Sequence, residues 1–164
     1  MRHYRLTNQE RAGSGFTDQF VIEGKELVGA VQTLSFPLIT LTGAVVDPFV
    51  VIRVDEGIAG TAGATLKAEV GHDKLNGAGS VDPNHWVDAT TVKAATGING
   101  TLIGPVGGSG ATNLPVVVSS STVVDCTITT AGSGVANFDT TTNTGQISIF
   151  MRIVQSDDLG YDQS

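Results

Sequence analysis

The sequence predicts an all-β fold, a sandwich of about eight antiparallel strands joined by long Gly/Thr-rich loops, on three observations. Apolar and polar residues alternate at period two in several segments, glycine supplies 21 of the 164 residues, and no segment carries a convincing helical stripe. Alternation at period two is the mark of a half-buried strand, because successive side chains leave a pleated backbone on opposite faces. A glycine share well above the usual ~7% means many turns. Two sheets packed face to face then bury the inward rows.

The clearest stretch runs from Asp47 to Gly71. Val50, Ile52 and Val54 share one face, opposite Arg53 and Asp55; after the soft run 56–63, Ala64, Leu66, Ala68 and Val70 share a face opposite Thr65, Lys67 and Glu69. The expectation is an antiparallel hairpin with a long flexible loop. Upstream, residues 1–15 hold little apolar material and close on Gly13-Ser14-Gly15, so they read as an arm. Phe20-Val21-Ile22 reads as a strand, and Glu23-Gly24-Lys25-Glu26 as a turn. Val31 to Leu41 is extended, with Leu34, Phe36 and Leu38 on one face, and Pro37 assigns it to an edge or a bulge because proline cannot donate to a ladder.

Downstream, residues 71–86 read as a polar loop, with Asn76-Gly77 a turn signal. A short strand is expected from Val87 to Ala95. The run 97–115 is longer than an ordinary connection, so it is a functional loop or holds a strand near Thr101-Leu102-Ile103. Val116–Val118 and Val123–Thr129 follow as strands. In the last strand Ile147, Ile149, Met151 and Ile153 face in, with Gln146, Ser148 and Arg152 out. The expected organisation is an arm (1–15), a sandwich domain (16–154) and an acidic tail (155–164).

Composition narrows the function. Hydrophobic residues make up 40% and aromatics 5%, so Val, Ile, Leu and Ala build the core. A formal charge of −7 argues against a nucleic-acid partner, and no apolar run approaches the ~20 residues of a membrane-spanning helix. The start has no secretory apolar stretch. Cys126 alternates with Val124 and Ile128, which reads as a buried apolar residue rather than a nucleophile.

Three constellations raise chemistry. His72, Asp73, Asp82, His85 and Asp88 offer two imidazoles and carboxylates of the kind that hold zinc, but their spacing matches no helical two-histidine motif and no calcium loop. The expectation is solvated loop residues and no metal or other cofactor. Gly104 to Ala111 lacks the Lys-Ser/Thr that a phosphate loop requires. Neither Ser109 nor Ser133 completes a nucleophile elbow. No enzyme is indicated. Asn99-Gly100-Thr101 reads as a turn, and Trp86 as partly buried packing in preference to a sugar platform.

The region Val31 to Val154 resembles tailed-phage capsid decoration (cement) proteins and their head-fibre relatives. The resemblance rests on Gly43-Ala44-Val45-Val46, the strand Phe49 to Asp55, Ala64-Thr65-Leu66-Lys67-Ala68-Glu69-Val70-Gly71, Ala89-Thr90-Thr91-Val92-Lys93 and Thr144-Gly145-Gln146-Ile147, with Leu41-Thr42-Gly43-Ala44 standing where the family has a Leu-Pro-Ala-Gly-Ala turn. It implies a jelly-roll sandwich, commonly a homotrimer, made in the host cytoplasm and placed on the outer surface of the virion head. There it would bridge major capsid protein subunits, with no nucleic acid or membrane as partner and no catalytic residue. The alternative is a carbohydrate- or receptor-binding module of a head fibre or tail, with Trp86, His85, Tyr4 or the long loops as its platform. The residues expected at interfaces are Arg2, Arg5 and Arg11 of the basic arm, Ile58 in the glycine-rich loop, and Asp157 and Asp158 of the tail.

Overall fold

A computed structural model describes residues 1–29, 31–46, 49–59, 65–77, 80–104, 115–131, 138 and 143–155. The chain is all-β, with twelve strands among these residues, paired antiparallel in three sheets.

The arm is part of the first sheet. Strand β1 (Arg2–Arg5) pairs with β2 (Asp18–Glu23), placing His3 opposite Phe20. The His3 ring stacks on Phe20 at 4.3 Å, and its Nε2 lies 2.8 Å from Asp18 Oδ1. Between the two strands lies a helix, α1 (Asn8–Ser14). Thr7 caps it: its Oγ1 accepts the Glu10 N–H, and Glu10 Oε2 accepts the Thr7 N–H at 2.8 Å. This reciprocal pair satisfies two otherwise unpaired donors. The Thr-x-x-Glu spacing announces the helix in the sequence, where the apolar-stripe criterion misses it because α1 buries no residue. A backbone ladder, which needs little apolar surface, holds the arm on its own domain.

The first sheet has the order β1-β2-β11-β5-β8, with β5 (Val51–Ala59), β8 (Leu102–Ile103) and β11 (Thr144–Met151). The second has the order β3-β10-β6-β7, with β3 (Thr33–Leu41), β6 (Thr65–His72), β7 (Asp82–Thr91) and β10 (Thr122–Ala131). A small sheet, β12-β4-β9, joins Ile153–Gln155, Ala44–Val46 and Val116–Val118.

β5 and β6 therefore do not form the expected hairpin; they belong to different sheets. Their alternation correctly gives the faces, since Ile52, Val54, Leu66, Ala68 and Val70 are all buried, but each strand takes its neighbours from elsewhere in the chain. β5 also runs four residues beyond Asp55, through Gly57 and Ile58 to Ala59. The inward rows of the first two sheets, with residues of the small one, join a single buried cluster.

β3 lies at an edge and carries a bulge. Val124 faces Ile39 but Asp125 faces Pro37, leaving Leu38 as the extra residue. Both expectations drawn from Pro37 hold. The final strand keeps Ile147, Ile149, Met151 and Ile153 buried but breaks at Arg152, where the chain leaves the first sheet for the small one. Thr17 ties this break, its Oγ1 accepting the Ile153 N–H at 2.7 Å. Among the described residues no helix is long and apolar enough to cross a membrane.

Candidate functional site

Two regions concentrate features that the core does not require: the small sheet and the start of β7.

In the small sheet, Ile153, Val46 and Val116 are in register and buried. The next row out of phase, Val154, Val45 and Val117, is also entirely apolar, and Val117 is 61% exposed. These three valines, with Gly43 and Ser119, line a shallow apolar groove. Apolar residues on both faces are what a sheet needs when both faces are covered.

At the start of β7 the ladder with β6 is broken. β6 advances two residues, from Val70 to His72, while β7 spans five, from Val87 back to Asp82. Residues 83–86 therefore arch over the end of β6. Gly71 permits this: a Cβ there would lie 1.9 Å from the Asp82 carbonyl oxygen. The segment expected to be a loop from Gly71 to Trp86 is strand at its two ends, Gly71–His72 and Asp82–Trp86, with a short 3-10 turn at Leu75–Gly77 between them, and the arch carries His85 and Trp86 onto His72.

The three rings form a packed group, with centroid separations of 4.8 Å (His72–His85), 4.9 Å (His85–Trp86) and 5.7 Å (His72–Trp86). His72 and Trp86 are 4% and 3% exposed. His85 Nδ1 lies 3.0 Å from Asp82 Oδ2. Among the described residues His72 Nδ1, His85 Nε2 and Trp86 Nε1 are buried without a hydrogen-bond partner. A buried polar atom left unpaired costs roughly 1–3 kcal/mol, so three together in one place call for an explanation. Burial holds the His72 imidazole below its usual pKa range, and neighbouring His85 adds to this.

The arch separates the five residues that the sequence grouped. His72, Asp82 and His85 each bring a ligand atom within 4.8 Å of the others. Asp73 and Asp88 serve the backbone instead. Asp73 Oδ1 accepts the N–H groups of Lys74 and Val123, at 2.6 and 2.9 Å; Asp88 Oδ1 accepts from Asn84 Nδ2 at 3.1 Å and from the Ala89 N–H at 2.8 Å. Both carboxyls lie below their ordinary pKa: at Asp73 desolvation pushes upward but the backbone hydrogen bonds together outweigh it, and at Asp88 the hydrogen bonds from Asn84 and Ala89 lead. Asp125 is a residue that sequence reasoning missed. Burial raises its carboxyl pKa, while Ser35 Oγ donates to its Oδ2 at 3.0 Å and opposes the rise. Its only sequence signal is a carboxylate in an otherwise apolar and threonine strand. Glu69 on β6 is raised as well, by burial and then by Asp88, Asp125 and Asp82.

The expected interface residues fare differently. Arg2 pairs with Glu23, and Arg11 Nε donates to the Leu6 carbonyl at 2.8 Å, so both brace their own chain. Arg5 is exposed on β1, across from Asp18 in register. Ile58 is corrected outright: at 2% exposure it is a core residue, its N–H donating to Val92 O and its carbonyl accepting from Ala94 N–H. Gly57 allows this approach, since a Cβ there would meet Ala94 and Ile98 at 2.6 Å. Asp157 and Asp158 lie outside the described residues. Trp86 is too deeply buried to stack on a sugar, whereas Tyr4 is exposed. Cys126 is fully buried as expected, and burial pushes its thiol far upward.

No protein family, curated protein or solved structure matches this chain.

Proposed function

We propose that the chain is a non-enzymatic structural protein of a phage virion, a jelly-roll decoration (cement) protein that reinforces an icosahedral head by bridging major capsid protein subunits. In this reading it acts as a homotrimer on the outer surface of the head. The observation that carries it is the small sheet with valines on both faces. A partly exposed apolar row of this kind marks a protein–protein contact, and Val154, Val45 and Val117 offer one rigid enough to be repeated many times over a lattice. The resemblance of residues 31–154 to decoration proteins supplies the particle; the sheet supplies the surface. Arg2 and Arg11 are engaged on their own domain, so the contact is assigned to the sheet rather than to the arm.

Many copies with modest interfaces add through multivalency. Light scattering should therefore give about 50 kDa for a closed trimer of the 16.9 kDa chain. The protein should bind expanded heads and raise their melting temperature, with no response on a glycan array. Val117→Asp should keep the fold and abolish both assembly and head binding. A protein that stays monomeric and leaves heads unaffected, or one whose Val117→Asp form decorates normally, overturns the reading.

A further inference from the structure

We propose that His72, Asp82 and His85 form a binding site for a borderline divalent transition metal ion, of which zinc is the type. The inference is independent of the capsid reading, because it rests on the arch alone. Two imidazoles and one carboxylate are a donor set suited to such ions, and unsuited to calcium or magnesium, which take oxygen donors. The fold brings these donors together from two strands by breaking the β6–β7 register.

A second observation points to a ligand. His72 Nδ1 is buried without a partner in a residue only 4% exposed, and its ring lies against the other histidine. His85 can turn either nitrogen to an ion: Nε2, which has no partner, or Nδ1, which lies 3.0 Å from Asp82 Oδ2. Bonds of ~2.0–2.1 Å in a tetrahedral site put ligand atoms about 3.3 Å apart. The three atoms already lie within 4.8 Å of one another, so small side-chain rotations close the shell. Trp86 packs nearly perpendicular to both imidazoles and keeps water from that side, while the Asp82 side chain is 35% exposed and gives the ion a way in. Three protein ligands leave a fourth position for water or for a donor from a neighbouring molecule. The ion would replace unpaired contacts with bonds and pin the arch to the end of β6.

The test uses the intact chain, stripped with a chelator and dialysed. Zinc should bind at one ion per chain by calorimetry and raise the melting temperature by about 5–10 °C at a hundredfold excess over Kd; calcium and magnesium should not. Cobalt(II) should give the intense visible absorption of a tetrahedral site. His85→Gln and Asp82→Asn, both partly exposed positions, should fold and lose the zinc-dependent rise at least tenfold in affinity, whereas His3→Gln, which removes the remaining histidine, should retain it. Absence of stoichiometric zinc binding by the unmodified protein overturns the proposal, as does binding that survives His85→Gln or disappears in His3→Gln.

Discussion

The β2–β11–β5 ladder fills the centre of the first sheet and the β10–β6–β7 ladder runs out to an edge of the second, and they are built to different rules. In the first, β11 pairs residue for residue with β2 and, after two shifts between Thr144 and Ile147, regularly with β5 from Ile147 to Phe150; its inward row of Ile147, Ile149 and Met151 is fully buried. Its outer face is closed by a satisfied polar layer: Ser148 Oγ donates to Asp55 Oδ2 at 2.5 Å and Gln19 Nε2 donates to Ser148 Oγ at 3.1 Å. In the second ladder β6 and β7 shift register between Ala68 and Val70 and again, by more, between Val70 and His72, and the arch leaves three ring nitrogens unpaired. Fully satisfied polar groups add rigidity, while unsatisfied ones in a buried place store cost that a ligand can relieve. The difference locates chemistry at the broken ladder and stability at the regular one.

Substitutions can break that contrast, beginning with the regular ladder. Ile149→Asp would bury an unpaired carboxylate at a position with no exposure, and should cost more than about 4 kcal/mol, leaving a chain without the cooperative denaturant transition of the parent. A folded Ile149→Asp protein would mean the face assignment of β11 is wrong. Gly71→Ala comes next. Its Cβ would collide with backbone rather than a movable side chain, so the arch must lift from β6, at a cost of about 2–3 kcal/mol in urea unfolding. Zinc binding should weaken with it; an unchanged affinity would separate the arch from the site.

Removing residues 1–5 tests whether β1 belongs to the regular ladder. Loss of its pairing with β2 and of the His3–Phe20 stack should lower the melting temperature by about 5 °C. An unchanged melting temperature would return these residues to the status of a free arm. The smallest effect is expected at Asp125, in the second ladder. Its folded pKa is raised, so the folded chain holds the proton more tightly than the unfolded one between the ordinary value and the raised one. Stability therefore falls as pH rises through that window. Asp125→Asn should melt about 1–2 °C above the parent at pH 7, and the gain should vanish as pH approaches 4. A gain that is independent of pH would assign the effect to packing.

How much of this was legible follows from what period two encodes. It encodes faces, and the buried rows of β5, β6 and β11 were readable residue by residue. It does not encode neighbours, so the Asp47–Gly71 segment looked like a hairpin although β5 and β6 join different sheets. Nor does it reveal a register break, which depends on Gly71 meeting Asp82 across the sheet. For that reason His72 and His85 read as loop residues, and Asp73 and Asp88 could not be told apart from Asp82. Ile58 looked partnerless because its partners, Val92 and Ala94, lie more than thirty residues away. The helix α1 was legible from Thr7 and Glu10 but not from apolar spacing.

The bulge at Leu38 has a bearing on how copies of this chain can meet. Among the described residues β3 is an edge strand nine residues long, long enough to template a strand of another molecule along the side that no described strand covers. Pro37 removes one donor from that strand, and the extra residue beside it throws the row out of step, so an incoming strand cannot pair along its whole length. Continuous sheets running from one molecule to the next, the route to fibrils, are therefore discouraged on this side.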